Sequence, residues 1–144
     1  MLGIFCEWFE GDWNNQKQIQ SNPRAAAYVH VRHERIGMNS FLCSYRYNKA
    51  RYPYREYTCS VAHNDGEIIV KSAAAEIIFH LENGCFRNRS CEHGVNTIER
   101  EIYLGQDHYH VMDKCTDPEG NLLWGLEGNQ FFWFDRVLWT CRSQ

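Results

Sequence analysis

The chain has 144 residues and a mass of 17.1 kDa, with 15 basic and 18 acidic side chains giving a formal charge of −3. That length suits one domain spanning residues 1–144, and the negative balance argues against nucleic acid or an anionic membrane as a main partner, since either needs a basic face. With 44% hydrophobic and only 23% charged residues the chain is not disordered, and no apolar run approaches the roughly 20 residues of a membrane-spanning helix.

The first twenty residues read as a helix, because Leu2, Phe5, Phe9, Trp13 and Gln16 recur at three- and four-residue steps. Gly11 weakens its middle and Asn22-Pro23 closes it. Leu2 to Phe9 is apolar, but no basic residues lead it and Glu7 and Glu10 interrupt the pattern. It makes a poor signal peptide, so a cytoplasmic protein is expected.

After Pro23 the period changes to two. Strands are predicted over Ala25–Ile36, Ser40–Tyr47, Tyr54–His63, Glu67–Ala75, Glu76–Leu81, Asn96–Leu104, His108–Cys115, Asn121–Glu127 and Phe131–Thr140. Turn signals at Asn64-Asp65-Gly66, Asn83-Gly84, Gly105-Gln106-Asp107, Asp117-Pro118-Glu119-Gly120 and Gly128-Asn129 separate most of them. About nine short strands joined by hairpin turns, behind one helix, describe an all-β, antiparallel up-and-down barrel with the helix across one mouth.

Alternation divides each strand into two faces. In Tyr54–His63 the better interior face is Arg55, Tyr57, Cys59, Val61 and His63, so Arg55 is carried inward. In His108–Cys115 the face Tyr109, Val111, Asp113 and Cys115 makes Asp113 an inward carboxylate. Phe41, Cys43, Tyr45 and Tyr47 form an aromatic inner row. The choice is open in Asn96–Leu104, where Thr97, Glu99, Glu101 and Tyr103 oppose Ile98, Arg100, Ile102 and Leu104.

A charge inside a barrel costs several kcal/mol unless it is paired or hydrogen-bonded. Arg55 and Asp113 therefore pair with each other, sit at the rim, or meet a ligand with complementary groups. A barrel of eight to ten strands holds one small molecule. A flat conjugated ligand would suit the aromatics, its anionic groups would suit Arg55 and its N–H donors Asp113. An open-chain tetrapyrrole has all three properties.

Other constellations are weaker. The seven cysteines, Cys6, Cys43, Cys59, Cys85, Cys91, Cys115 and Cys141, are odd in number and contain no CxxC pair, so reduced thiols filling core spaces are expected, with Cys85 beside the Asn83-Gly84 turn the one to watch. His108 and His110 share a strand face and Cys91-Glu92-His93 lies in a nearby loop, but a metal site needs three or four convergent ligands and none is assigned. Arginines between Arg24 and Arg55 interleave with acidic residues as on a barrel exterior rather than an RNA-binding face. There is no Gly-x-Ser-x-Gly elbow for acyl transfer.

Several motifs together resemble one family. Asp12-Trp13-Asn14-Asn15-Gln16 resembles the N-terminal segment of the T-type phycobiliprotein chromophore lyases (the CpcT/CpeT group), which ends in Asn-Gln. Pro53-Tyr54-Arg55 matches that family's Pro-Tyr-Arg motif, and Asn83-Gly84-Cys85 its Gly-Cys turn. Thr97 through Asp117 aligns without gaps to its stretch ending in a Leu-Asp…Asp pattern, with Glu101 and Asp113 on family acidic positions. Trp124-Gly125, Gly128 and Phe131-Phe132-Trp133-Phe134 resemble its closing motif. The likeness covers Trp8 to Arg136. Three departures stand out: the segment between Cys85 and Thr97 is shorter than in the family, Cys43-Ser44-Tyr45 replaces an expected Glu-Gln pair, and Asn129-Gln130 replaces a proline.

The resemblance implies a calycin-type barrel related to lipocalins, shortened by at least one missing or trimmed hairpin. It implies a lyase that takes up a phycobilin, phycoerythrobilin or a close relative, and promotes its thioether attachment to a cysteine of a phycobiliprotein β-subunit, phycoerythrin being the expected acceptor. The alternative is a carrier or chaperone that binds the bilin without transferring it. No metal or permanent cofactor is implied, because the bilin is the substrate, and none of the chain's own cysteines needs to be a nucleophile. Asp113 would stabilise the protonated chromophore, with Glu101 second for that catalytic role. Arg55 would clamp a propionate, Tyr54, Tyr45 and Trp124 would stack or hydrogen-bond, and Asn15 and Gln16 would reach the cavity mouth. Family members are often dimers, and the choice between monomer and homodimer stays open, as does a cyanobacterial or a cyanophage origin.

Overall fold

The alternation that begins after Pro23 closes into one antiparallel sheet. The computed structural model describes residues 1–128 and 130–138; Trp139 and Thr140, the end of the last predicted strand, and Cys141 lie outside the described residues. The helices are α1 (Leu2–Phe9) and α2 (Gln16–Ser21). The strands are β1 (Gly11–Asn14), β2 (Val29–Arg35), β3 (Ser40–Tyr47), β4 (Arg55–Asn64), β5 (Glu67–Ser72), β6 (Glu76–Glu82), β7 (Cys85–His93), β8 (Thr97–Leu104), β9 (His108–Thr116), β10 (Leu122–Trp124) and β11 (Phe132–Arg136).

Strands β1 to β9 each pair with the next, and β11 lies between β9 and β1, so ten strands form a closed barrel. The short β10 pairs with β9 at Cys115 and Thr116, beyond the stretch that holds β11. The up-and-down barrel expected from the alternation is the fold observed. Two of its hairpins turn on left-handed residue pairs, Asp65-Gly66 (φ 49° and 79°) between β4 and β5 and Asn83-Gly84 (φ 53° and 74°) between β6 and β7. Such pairs match the right-handed twist of the strands they join.

Two expectations change. The single helix over the first twenty residues is two helices separated by β1. Gly11, at φ 139°, adopts a conformation that L side chains rarely take, and the chain turns there into the sheet. Trp13, read as part of a helical stripe, is a fully buried strand residue opposite Val31 and Arg136. The short stretch after Cys85, where a missing or trimmed hairpin was expected, keeps its hairpin: β7 pairs with β8 from Phe86↔Leu104 to His93↔Thr97. Cys85 is therefore the first residue of a strand.

Helix α1 plugs one end of the barrel. Its Phe5, Cys6 and Phe9 are buried. Phe5 meets Phe79 and Phe86 with ring centres 5.1 and 5.0 Å apart, and Phe9 stacks on His33 at 3.8 Å and meets Phe41 edge-on at 5.0 Å. Burying an aromatic of this size is worth roughly 2–3 kcal/mol, so the plug is a main source of stability. The opposite end carries the turns Asn48–Tyr54, Ser72–Ala75, Gly94–Asn96 and Asp117–Asn121, together with α2. Among the described residues no helix is long and apolar enough to cross a membrane.

Candidate functional site

Polar side chains gather inside the barrel at the end that α1 leaves free. The inner row of β3 places Tyr45 in the core, and across the strand pair it faces Arg55 on β4. Arg55 stands exposed at the rim, with its guanidinium carbon 5.4 Å from the centre of the Tyr45 ring and 5.1 Å from that of Tyr57. Tyr45 and Tyr57 are stacked with centres 6.3 Å apart. Burial pushes the phenols of Tyr45, Tyr57 and Tyr109 up, so all three stay protonated donors at neutral pH.

The face of β8 that alternation left open is settled by packing. Ile102 and Leu104 are buried, and Arg100 shares their face with only 9% of its surface exposed. Across the β8–β9 pair Arg100 stands opposite Asp113, with Nε 3.8 Å from Oδ2. The other carboxylate oxygen, Oδ1, is buried without a hydrogen-bond partner. Burial pushes the Asp113 carboxyl above the usual carboxylate range, against the pull of Arg100 and Arg55. Arg55 and Asp113 thus make no direct ion pair among the described residues: one sits at the rim, the other takes Arg100 as its partner.

Glu101 points away from the mouth. It lies on the outer face of β8, where it binds Arg89 at 2.9 Å, lies 3.6 Å from Arg87 and accepts a hydrogen bond from the Tyr103 hydroxyl. Partial burial would raise its pKa, but the Tyr103 and Arg89 hydrogen bonds outweigh it and hold the carboxyl below its usual range. A carboxylate neutralised on the barrel exterior does not face a ligand inside.

The remaining expected residues divide between interior framework and surface. Asn15 is fully buried: its amide donates to the Ala27 carbonyl at 2.8 Å and to Gln18 Oε1 at 3.3 Å, while its oxygen accepts from the Val29 N–H at 2.8 Å. Those bonds use both amide hydrogens and engage the oxygen, and Asn15 ties the start of β2 to the corner before α2. Gln16 is exposed at the first position of α2. Tyr54 is half exposed on the β3–β4 loop and stacks on Tyr47 at 4.3 Å. Trp124, on β10, is 45% exposed beside Leu122 and Leu123. The adjoining Gly125 passes so close to β9 that a Cβ there would meet the Asp113 carbonyl oxygen.

Arg100 is the residue the alternation missed. A signal was present, since its three companions at two-residue spacing, Ile98, Ile102 and Leu104, are all aliphatic. Two concavities on the outer wall, around Glu10–Asp12 and across β1 to β4, are lined partly by charges already paired, such as Arg32 and Asp12 at 3.0 Å. His108 and His110 lie 5.2 Å apart on the outer side of β9, and His110 stacks on Trp133.

The chain is similar to the solved T-type phycobiliprotein lyase CpeT from Prochlorococcus phage P-HM1, with 32% identity, a TM-score of 0.80 and coverage of 96% of this chain and 98% of that one. It is also similar to the CRL protein of Arabidopsis at a TM-score of 0.76, covering 94% of this chain and 97% of that one. The identity there is 9%, which shows a shared fold alone. No family model matches the chain, and no curated protein matches it by sequence.

Proposed function

The chain belongs to the T-type phycobiliprotein lyases, and from that premise we propose that it binds an open-chain tetrapyrrole at the mouth lined by Arg55, Tyr45, Tyr57, Arg100 and Asp113. Phycoerythrobilin or a close relative is the substrate, and a phycobiliprotein β-subunit, phycoerythrin in particular, is the acceptor. The observation that carries this reading is Asp113. It is an inward carboxylate with one buried oxygen that has no hydrogen-bond partner, placed on a wall that also presents aromatic surface.

In this reading the pyrrole N–H groups donate to Asp113 Oδ1, and the carboxylate stabilises the protonated, cationic chromophore. That protonation draws electron density from the ethylidene group of ring A. The acceptor thiolate then adds to the electrophilic carbon, forming the C–S bond while the double bond's electrons move into the conjugated system. Tyr45 and Tyr57 supply flat surface and phenol donors, and Arg55 takes a propionate with its planar fork. Tyr54, on the loop above Arg55, and Trp124, on β10, would line the entrance. Ring A must stay at the open end, since α1 fills the other.

The test is visible absorption on mixing the purified protein with phycoerythrobilin, followed by addition of a phycoerythrin β-subunit. A sharpened, red-shifted band followed by a covalent, acid-stable adduct on the acceptor is the expected result. Binding without transfer would make the protein a carrier, and a folded protein that leaves the spectrum unchanged would sink the bilin reading.

A further inference from the structure

We propose that Arg100 is a second carboxylate anchor, and that ligand binding exchanges its partner: Arg100 leaves Asp113 for a ligand carboxylate, which frees Asp113 to accept the ligand's N–H groups. This inference rests on the bilin reading above and concerns how the same mouth selects a ligand bearing two carboxylates.

Three observations carry it. Arg100 is nearly as buried as the aliphatic residues of its face, yet its one ion pair among the described residues is the 3.8 Å approach to Asp113, too long for a hydrogen bond. A guanidinium has five N–H donors in a flat fork, and the nitrogens of Arg100 are not among the buried atoms that lack a partner, so the fork stays open to an acceptor that enters the mouth. Asp113 is under-used, since its Oδ1 is buried without a partner. An accessible cation beside a carboxylate with one unpartnered oxygen is what a site looks like when a ligand with both acceptors and donors is to replace their contact with each other. Lastly, Arg55 stands on β4, four strands away around the barrel from Arg100 on β8, so the mouth presents one cation on each wall. A flat ligand with two carboxylates would be held at both, with its N–H groups turned to Asp113. The other acidic residue on this inner face is Glu92, exposed at the end of β7 beyond Ser90, which pairs opposite Arg100. It makes no ion pair with Arg100 among the described residues, and its charge adds to the upward push on Asp113.

The test compares phycoerythrobilin with its dimethyl ester, in which both propionates are neutral, on the wild-type protein and on Arg100→Gln and Arg100→Lys. The expected result is that Arg100→Gln weakens binding of the free acid about tenfold or more and binding of the ester less than twofold, with Arg100→Lys between. A purely structural Arg100 would move both pigments by the same factor, and that outcome overturns the proposal while leaving the bilin reading intact. A wild-type protein that binds neither pigment overturns both. Should Arg100→Gln not fold, the wild-type ratio of the two pigments decides: equal affinity for acid and ester refutes a carboxylate anchor.

Discussion

The guanidinium of Arg136 lies 4.3 Å from the centre of the Trp13 indole and, from that position, holds the end of the α1 plug. Its nitrogens donate to the Glu10 carbonyl at 2.7 Å, to the Trp8 carbonyl, and to the Gln106 carbonyl at 2.8 Å. Carbonyls at a helix C-terminus lack partners of their own, and here an arginine from the last strand supplies them. The contact ties the first element of the chain to the last described one across the closure of the barrel.

Replacing Arg136 should therefore cost much more than a surface charge. Arg136→Ala is expected to lower the unfolding free energy by about 2–4 kcal/mol, because charged hydrogen bonds contribute roughly 1.5–3 kcal/mol each and the losses overlap. Arg136→Lys should recover less than half, since an ammonium cannot span three carbonyls and lie flat on an indole. Urea unfolding measures both; a loss below about 0.5 kcal/mol for the alanine variant would remove the clamp.

Asn15 belongs to the framework rather than to the ligand contacts. Asn15→Ala strands the buried Val29 N–H and the Ala27 carbonyl, and the expected loss is about 2–3 kcal/mol of stability. Bilin affinity, measured at a temperature where the variant is fully folded, should change by less than threefold. A tenfold loss of affinity with little loss of stability would put Asn15 back among the ligand contacts.

How much of this was legible depended on whether local pattern and tertiary placement agreed. Ser40–Tyr47 alternates so cleanly that its predicted bounds are those of β3. Asn83-Gly84 marked a turn that the backbone makes. By contrast β1 is four residues long, too short for an alternating pattern to show, and Trp13 happens to continue the spacing of Leu2, Phe5 and Phe9. β7 was invisible because its inward positions after Phe86 are Asn88, Ser90 and Glu92. An interior that turns polar toward the mouth erases the apolar alternation by which strands are recognised. Arg100 was missed for another reason: the opposing face of its strand carries Thr97 and Tyr103 beside its two glutamates, which left the choice of face open although the companions of Arg100 are aliphatic.

His33 gives the fold a pH dependence. It is fully buried, Nδ1 bonds the Phe9 carbonyl at 2.8 Å, and Nε2 has no partner, so protonation would place an unpaired N–H in the core. Burial lowers its pKa from 6.5 to about 4. The unfolded chain thus binds a proton between pH 6.5 and about 4 that the folded chain does not, and stability falls as pH drops through that window. The full loss is roughly 3 kcal/mol, at about 1.4 kcal/mol per unit. His110, also lowered by burial, adds a smaller slope of the same sign, while the raised carboxyl of Asp113 opposes it. Unfolding free energies at pH 7 and 4.5 should differ less in His33→Gln than in wild type. An NMR titration that finds the His33 ring protonating near 6.5 would refute the argument.

Asp113 and Glu101 provide the sharpest functional contrast, because both are acidic, belong to the same hairpin and differ in which side of the wall they face. Asp113→Asn keeps the shape and removes the charge, so the bound bilin should lose its protonated, red-shifted band even where it still binds. Glu101→Gln breaks contacts with Arg89, Arg87 and Tyr103 on the exterior, where such pairs contribute about 0–1 kcal/mol. It should leave the bilin spectrum and affinity within twofold of wild type. Transfer to the acceptor should fall at least tenfold in Asp113→Asn and stay near wild type in Glu101→Gln, read from the adduct formed per minute at saturating bilin. The reverse pattern would mean that pigment is held against the outer face, and it would move the site away from the mouth.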